Sequence, residues 1–146
     1  MKRWALALAV FAFGCGSAPE SGSENVHWLD YEEYKTSVQP VVAEGCSNPS
    51  CHAREERAFS LYAPMARRMD ESRTHMNEPL TEEELLHNFT VSCVLSSDSN
   101  VPEETLLLRK PLADYANTHH GGGAVFEGQA DDRYKKLADW IARGQK

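Results

Sequence analysis

Long apolar runs are what this chain of 146 residues has least of: the longest, Trp4 to Gly14, spans 11 residues. That is short of the roughly 18 or more that a membrane-spanning helix needs. No stretch alternates apolar and polar residues convincingly enough for a strand, and no segment repeats, which leaves an all-α domain. Positive charge is also scarce, with 15 Lys and Arg against 22 Asp and Glu and a formal net charge of −7. An acidic surface argues against nucleic acid as a partner and against electrostatic docking on anionic lipid, and it suits a basic protein partner. Missing as well are a nucleophile elbow, a glycine-rich phosphate loop and the paired-histidine helix of metalloproteases, so nothing suggests a hydrolase or a transferase. The length allows one domain with a single modest core.

The N-terminus is an address. Met1-Lys2-Arg3 is a short basic region, the apolar run follows, and Ala12-Phe13-Gly14-Cys15 closes it. Small residues ahead of a cysteine, with Gly16-Ser17-Ala18-Pro19 behind it, resemble a bacterial lipoprotein signal, in which Cys15 is acylated and becomes the first residue. The polar stretch from Gly16 to Asn25 then serves as a tether. An ordinary secretory signal cut near Ala18 is the alternative and leaves no anchor. The expected division is a signal peptide over 1–14, a lipidated cysteine and flexible tether over 15–26, and a folded domain over 27–146. On this reading the protein is an exported envelope lipoprotein, on the periplasmic face or outer membrane, touching membrane through its lipid alone. Export permits both disulfides and covalent haem attachment.

Beyond the tether, Asp30 followed by Glu33 forms a capping-box-like start, and Tyr31, Tyr34 and Val38 recur at helical spacing. Pro40 should kink or restart this helix, and Gly45 should stop it just before Cys46. Residues 63–76 are read as a helix that places Met65, Met69 and Met76 on one face. Thr81 and Glu84 open a further capping box, with Leu85, Leu86 and Phe89 as its buried positions. Pro102 opens a short helix carrying Leu106, Leu107 and Leu108. Asp131 or Asp132 caps a last helix in which Tyr134, Leu137, Trp140 and Ile141 form the core stripe and Gly144 the end.

Chemistry concentrates in Cys46-Ser47-Asn48-Pro49-Ser50-Cys51-His52. Two thiols followed directly by a histidine are what a chain uses to hold haem: the sulfurs add to the vinyl groups and the adjacent imidazole reaches the iron. Four residues separate the cysteines here rather than the usual two. His52 is then the proximal iron ligand. For the sixth position His120 comes first, because it precedes Gly121-Gly122-Gly123, where missing side chains let backbone approach a porphyrin edge. His119, Met65, Met69 and Met76 are the alternatives. Two readings stand without haem. Cys46, Cys51, His52 and Cys93 form a possible zinc set, and a disulfide from Cys46 or Cys51 to Cys93 would staple a binding or structural module.

The order of elements and particular residues resemble the c-type cytochrome fold, and in detail the single-haem domains of exported planctomycete and myxobacterial proteins. The resemblance runs through Val38-Gln39-Pro40-Val41-Val42 into Cys46 and Cys51-His52. It resumes at Leu106-Leu107-Leu108-Arg109-Lys110-Pro111-Leu112, His120-Gly121-Gly122-Gly123 and Trp140-Ile141-Ala142-Arg143-Gly144. The wider cysteine spacing and the extra Cys93 depart from that pattern. The resemblance implies an all-α, cytochrome c-like domain with covalently bound haem c, its iron held by His52 and a second ligand. It also implies a role as electron carrier or electron-transfer subunit, exchanging electrons with a partner protein rather than catalysing a reaction. Lys110 is a candidate to neutralise a haem propionate.

Overall fold

The computed structural model describes residues 29–112 and 120–144. The signal, Cys15, the tether, His27 and His119 lie outside the described residues. Asp30 starts the first helix by accepting the Glu33 N–H at 2.7 Å, which satisfies a donor with no partner inside the helix. The helix runs as α1 (Tyr31–Glu33), a π-helical turn (Tyr34–Val38) and α2 (Gln39–Cys46). The expected kink at Pro40 takes the form of that π turn. Pro40 has no N–H to donate and its ring crowds the preceding turn. The Gln39 N–H therefore reaches back to the Tyr34 carbonyl, and one extra residue is absorbed without breaking the rod.

Further along the chain stand α3 (Glu82–Ser96), α4 (Leu106–Arg109) and α5 (Asp132–Gly144), with 3₁₀ turns at Glu71–Arg73 and Pro102–Glu104. All regular elements among the described residues are helical, with one isolated bridge pairing Leu112 and Phe126. No helix of the described residues is long and apolar enough to cross a membrane. α5 buries Tyr134, Leu137, Trp140 and Ile141, as its 3.6-residue period requires. Trp140 sits at the junction of the first and last helices. Its ring lies 5.4 Å from Tyr34 and 6.2 Å from Phe89, and its indole N–H donates to the Asp30 carbonyl at 2.9 Å. Gly144 belongs there because a Cβ would collide with Leu29.

Two expectations fail, both through tertiary contacts. Residues 63–76 do not form a helix; they are irregular apart from the 3₁₀ turn. A helix would need the Met69 N–H to bond within its own segment, but the Glu84 carboxylate takes it at 2.7 Å. Asp70 then accepts the Ser72 N–H at 3.0 Å, turning the chain instead of continuing it. The second failure is the inward face of α3. Its capping box forms as expected, Thr81 Oγ1 accepting from the Glu84 N–H and Glu84 Oε2 from the Thr81 N–H. Its fully buried stripe, however, is Glu84, Asn88, Ser92 and Ser96, while Leu86 is 52% exposed and Leu85 and Phe89 are half-buried.

That polar stripe is tolerated because each member is hydrogen-bonded. Asn88 accepts the Tyr62 N–H at 2.8 Å and donates to the Tyr62 carbonyl at 2.8 Å and to Gln39 Oε1 at 3.2 Å. The Ser92 and Ser96 hydroxyls donate to carbonyls one turn back, at Asn88 and Ser92. Glu84 faces Arg68 in an ion pair whose side chains are 1% and 0% exposed. α3 thus fastens both α2 and the irregular segment that follows the cysteine loop.

Candidate functional site

α2 delivers Cys46 to the floor of a cavity, and the residues after it curl back on themselves. The Cys51 N–H donates to the Asn48 carbonyl at 2.8 Å and the His52 N–H to the Cys46 carbonyl at 3.1 Å. Asn48 Oδ1 accepts from both the Ser50 N–H and the Ser50 hydroxyl, at 2.9 and 2.7 Å. The four intervening residues therefore form a closed turn, and Cys46, Cys51 and His52 all line one cavity of about 380 Å³, within the range of small-molecule and cofactor sites. Its apolar wall comes from Leu95, Leu106, Leu107, Phe126 and Leu137. Arg57 and Lys110 stand on the lining, which includes no Asp or Glu among the described residues.

On the other side of the cavity is His120. Its loop is set by backbone bonds: the Val125 and Phe126 N–H groups both donate to the Pro111 carbonyl, at 2.8 and 3.2 Å. The Gly123 N–H closes onto the His120 carbonyl at 2.9 Å, with Gly123 at φ 80, a conformation that favours glycine. A Cβ on Gly122 would lie 3.7 Å from Cys51 Sγ, and one on Gly45 would meet Val125 at 2.8 Å. Glycine at position 45 lets Val125 of the His120 loop close down on α2 just ahead of the cysteine turn, whereas the space at Gly122 would admit a Cβ.

Both imidazoles are held in the same way. His52 Nδ1 is 2.7 Å from the Phe59 carbonyl, and His120 Nδ1 is 2.7 Å from the Gly123 carbonyl. A carbonyl can only accept, so each ring carries a proton on Nδ1, and in the neutral form Nε2 is the nitrogen left to ligate. Such backbone bonds are the outer-shell contacts that orient a metal-ligating histidine. Burial pushes the His52 pKa down; the Phe59 carbonyl opposes this, and His120, Arg57 and Lys110 add to it, so His52 is the neutral, ligating form near pH 7. The two ring centres are 5.9 Å apart with planes 19° from parallel. The rings are therefore a near-parallel pair that faces the same cavity.

The donor set fits a haem iron: two oriented imidazoles, two thiols and an apolar slot on one cavity. Cys46, Cys51 and Cys93 are free thiols. Burial pushes the Cys46 thiol up to about 12, reinforced by its neighbour Cys51, and burial raises Cys93 likewise to about 12. Cys93, on α3, does not line the cavity. No three His, Cys, Asp or Glu side chains among the described residues are grouped to hold a bare metal ion, so the zinc set is not assembled there. Met65 and Met69 line a separate, open pocket with His75, and no methionine among the described residues lines the cavity of His52. Sequence reasoning did not single out Asn48, Phe59, Arg57 or Leu95. Of these, Asn48 carried a local signal, as an Asn two residues before a Ser in a proline-containing turn. Comparisons with protein families, with curated proteins and with solved structures find no match for this chain.

Proposed function

We propose that the protein is an envelope-anchored c-type haem protein, acting as an electron carrier or electron-transfer subunit. The observation that carries this reading is the pairing of His52 with His120 across the cavity that Cys46 and Cys51 line. Cys46 and Cys51 would hold the haem covalently, and His52 and His120 would ligate its iron. When bound, the group supplies reversible one-electron exchange. Leu106, Leu107 and Phe126 exclude water and lower the local dielectric, while the Phe59 and Gly123 carbonyls fix both tautomers. Two imidazoles give a lower potential than a His and Met pair. Arg57 and Lys110 offer positive charge on the lining to the anionic rim of such a group. A partner protein, basic where it meets the acidic remainder of the surface, exchanges the electron, and Cys15 supplies the lipid anchor.

The test is expression in a bacterial host with haem-maturation machinery. The expected product has a Soret band, a low-spin spectrum and a mass showing two thioethers. His120→Ala should then convert the spectrum to high-spin. A colourless product whose mass fits polypeptide plus lipid would defeat the proposal and leave a haem-free lipoprotein that serves as a binding or structural module.

A further inference from the structure

A second group of ligating side chains lies away from that cavity. Met65, Met69 and Met76 are 58%, 48% and 45% exposed, although a thioether is apolar. They belong to one loop, and the loop is built rather than slack. Arg68 is pinned by Glu84 from beneath, the Ala63 N–H donates to the Arg67 carbonyl at 2.9 Å, and Arg73 pairs with Glu78 at 2.6 Å. The Met65 N–H donates to the Met76 carbonyl at 3.3 Å, so the two ends of the loop adjoin. Met65, Met69 and His75 line one open pocket. Met65 stands at φ 60, a conformation that favours glycine, and its exposed side chain is not held there by packing.

The chemistry of the pocket selects among ligands. Glu55 and Glu71 also line it, but no three His, Cys, Asp or Glu side chains among the described residues form a group able to hold an ion. Sulfur must complete any coordination shell, and thioethers favour soft monovalent cations over hard divalent ones. Of the two cations on the lining, Arg68 is neutralised by Glu84, and Arg67 lies 4.3 Å from the Tyr62 ring centre. We infer that Met65, Met69 and His75 form a surface site for one soft monovalent cation of the Cu(I) type, with Met76 adjoining as a further donor. The site is independent of haem.

The full chain, carrying methyl-labelled methionine, would be titrated with Ag(I) as a redox-silent probe, past the equivalents its free thiols absorb. The Met65 and Met69 methyl signals and the His75 ring signals should shift together and saturate at one further equivalent. Met65→Leu with Met69→Leu keeps apolar volume and should lose that equivalent. It should also compete at least tenfold less well against a Cu(I) chelator, with an unchanged circular dichroism spectrum. Methyl signals that stay still in excess Ag(I), as they would if the exposed thioethers serve only as a protein-docking surface, would overturn the inference. So would a folded double variant that takes up the ion as before. If the double variant does not fold, the wild-type signals decide alone.

Discussion

Replacing Glu84 by Gln should destabilise the protein more than any other single carboxylate change, and the pH dependence of stability should change with it. Burial alone would raise the pKa of this carboxyl. It is outweighed by the Arg68 guanidinium, with contacts at 2.8 and 3.0 Å, and by the Met69 and Thr81 N–H groups at 2.7 and 2.8 Å, which bring the value from 4.5 down to about 2. A folded-state pKa below the unfolded one contributes stability that is fully present above pH 4.5 and is lost as pH falls through about 2. At 1.36 kcal/mol per pKa unit, the linkage amounts to about 3 kcal/mol. Glu84→Gln also leaves Arg68 buried without its counter-charge, a change that costs about 3–5 kcal/mol. Urea unfolding of wild type and variant at pH 7, 5, 4 and 3 measures both effects. The wild type should lose stability steeply below pH 4.5, and the variant should be weaker at pH 7 with a flatter acid limb. Equal stabilities at pH 7, or parallel acid limbs, would refute the account of Glu84 as the anchor of the loop.

The remaining predictions use the same contacts. Asn88→Ala should cost about 2–4 kcal/mol in chemical unfolding, since the Tyr62 N–H and carbonyl both lose their partner. Leu86→Gln on the same helix should stay within about 0.5 kcal/mol of wild type, because Leu86 is exposed. Gly123→Ala forces a left-handed conformation on a residue with a Cβ, at about 1–2 kcal/mol; in haem-loaded protein it should increase the high-spin fraction measured by absorbance. Cys15→Ser should move the protein from the membrane to the soluble fraction on cell fractionation, and retention in the membrane would remove the lipid anchor.

The start of the first helix was legible because Asp30 caps Glu33 three residues on, and the same holds for Thr81 and Glu84. The last helix was legible because Tyr134, Leu137 and Ile141 repeat at the helical period. The inward face of α3 was not legible. Asn88 and Ser92 are polar, and their burial depends on Tyr62 and Tyr34, which the fold places against them. Cys46, Cys51 and His52 announced themselves by adjacency, whereas their shared cavity with His120 depends on the Pro111 carbonyl that folds the glycine loop back.

The sequence by itself determined what depends on neighbours a few residues apart: the caps, the helical class, the period of the closing helix and the cysteine–histidine cluster. Only the tertiary structure decided what depends on partners far along the chain. It brought the ring of His52 within 5.9 Å of His120, and it gave the Met69 N–H to Glu84 instead of to a helix. A hydrogen bond inside a helix competes with any buried acceptor the fold brings near. The winner is settled by burial and charge, which local order along the chain does not encode.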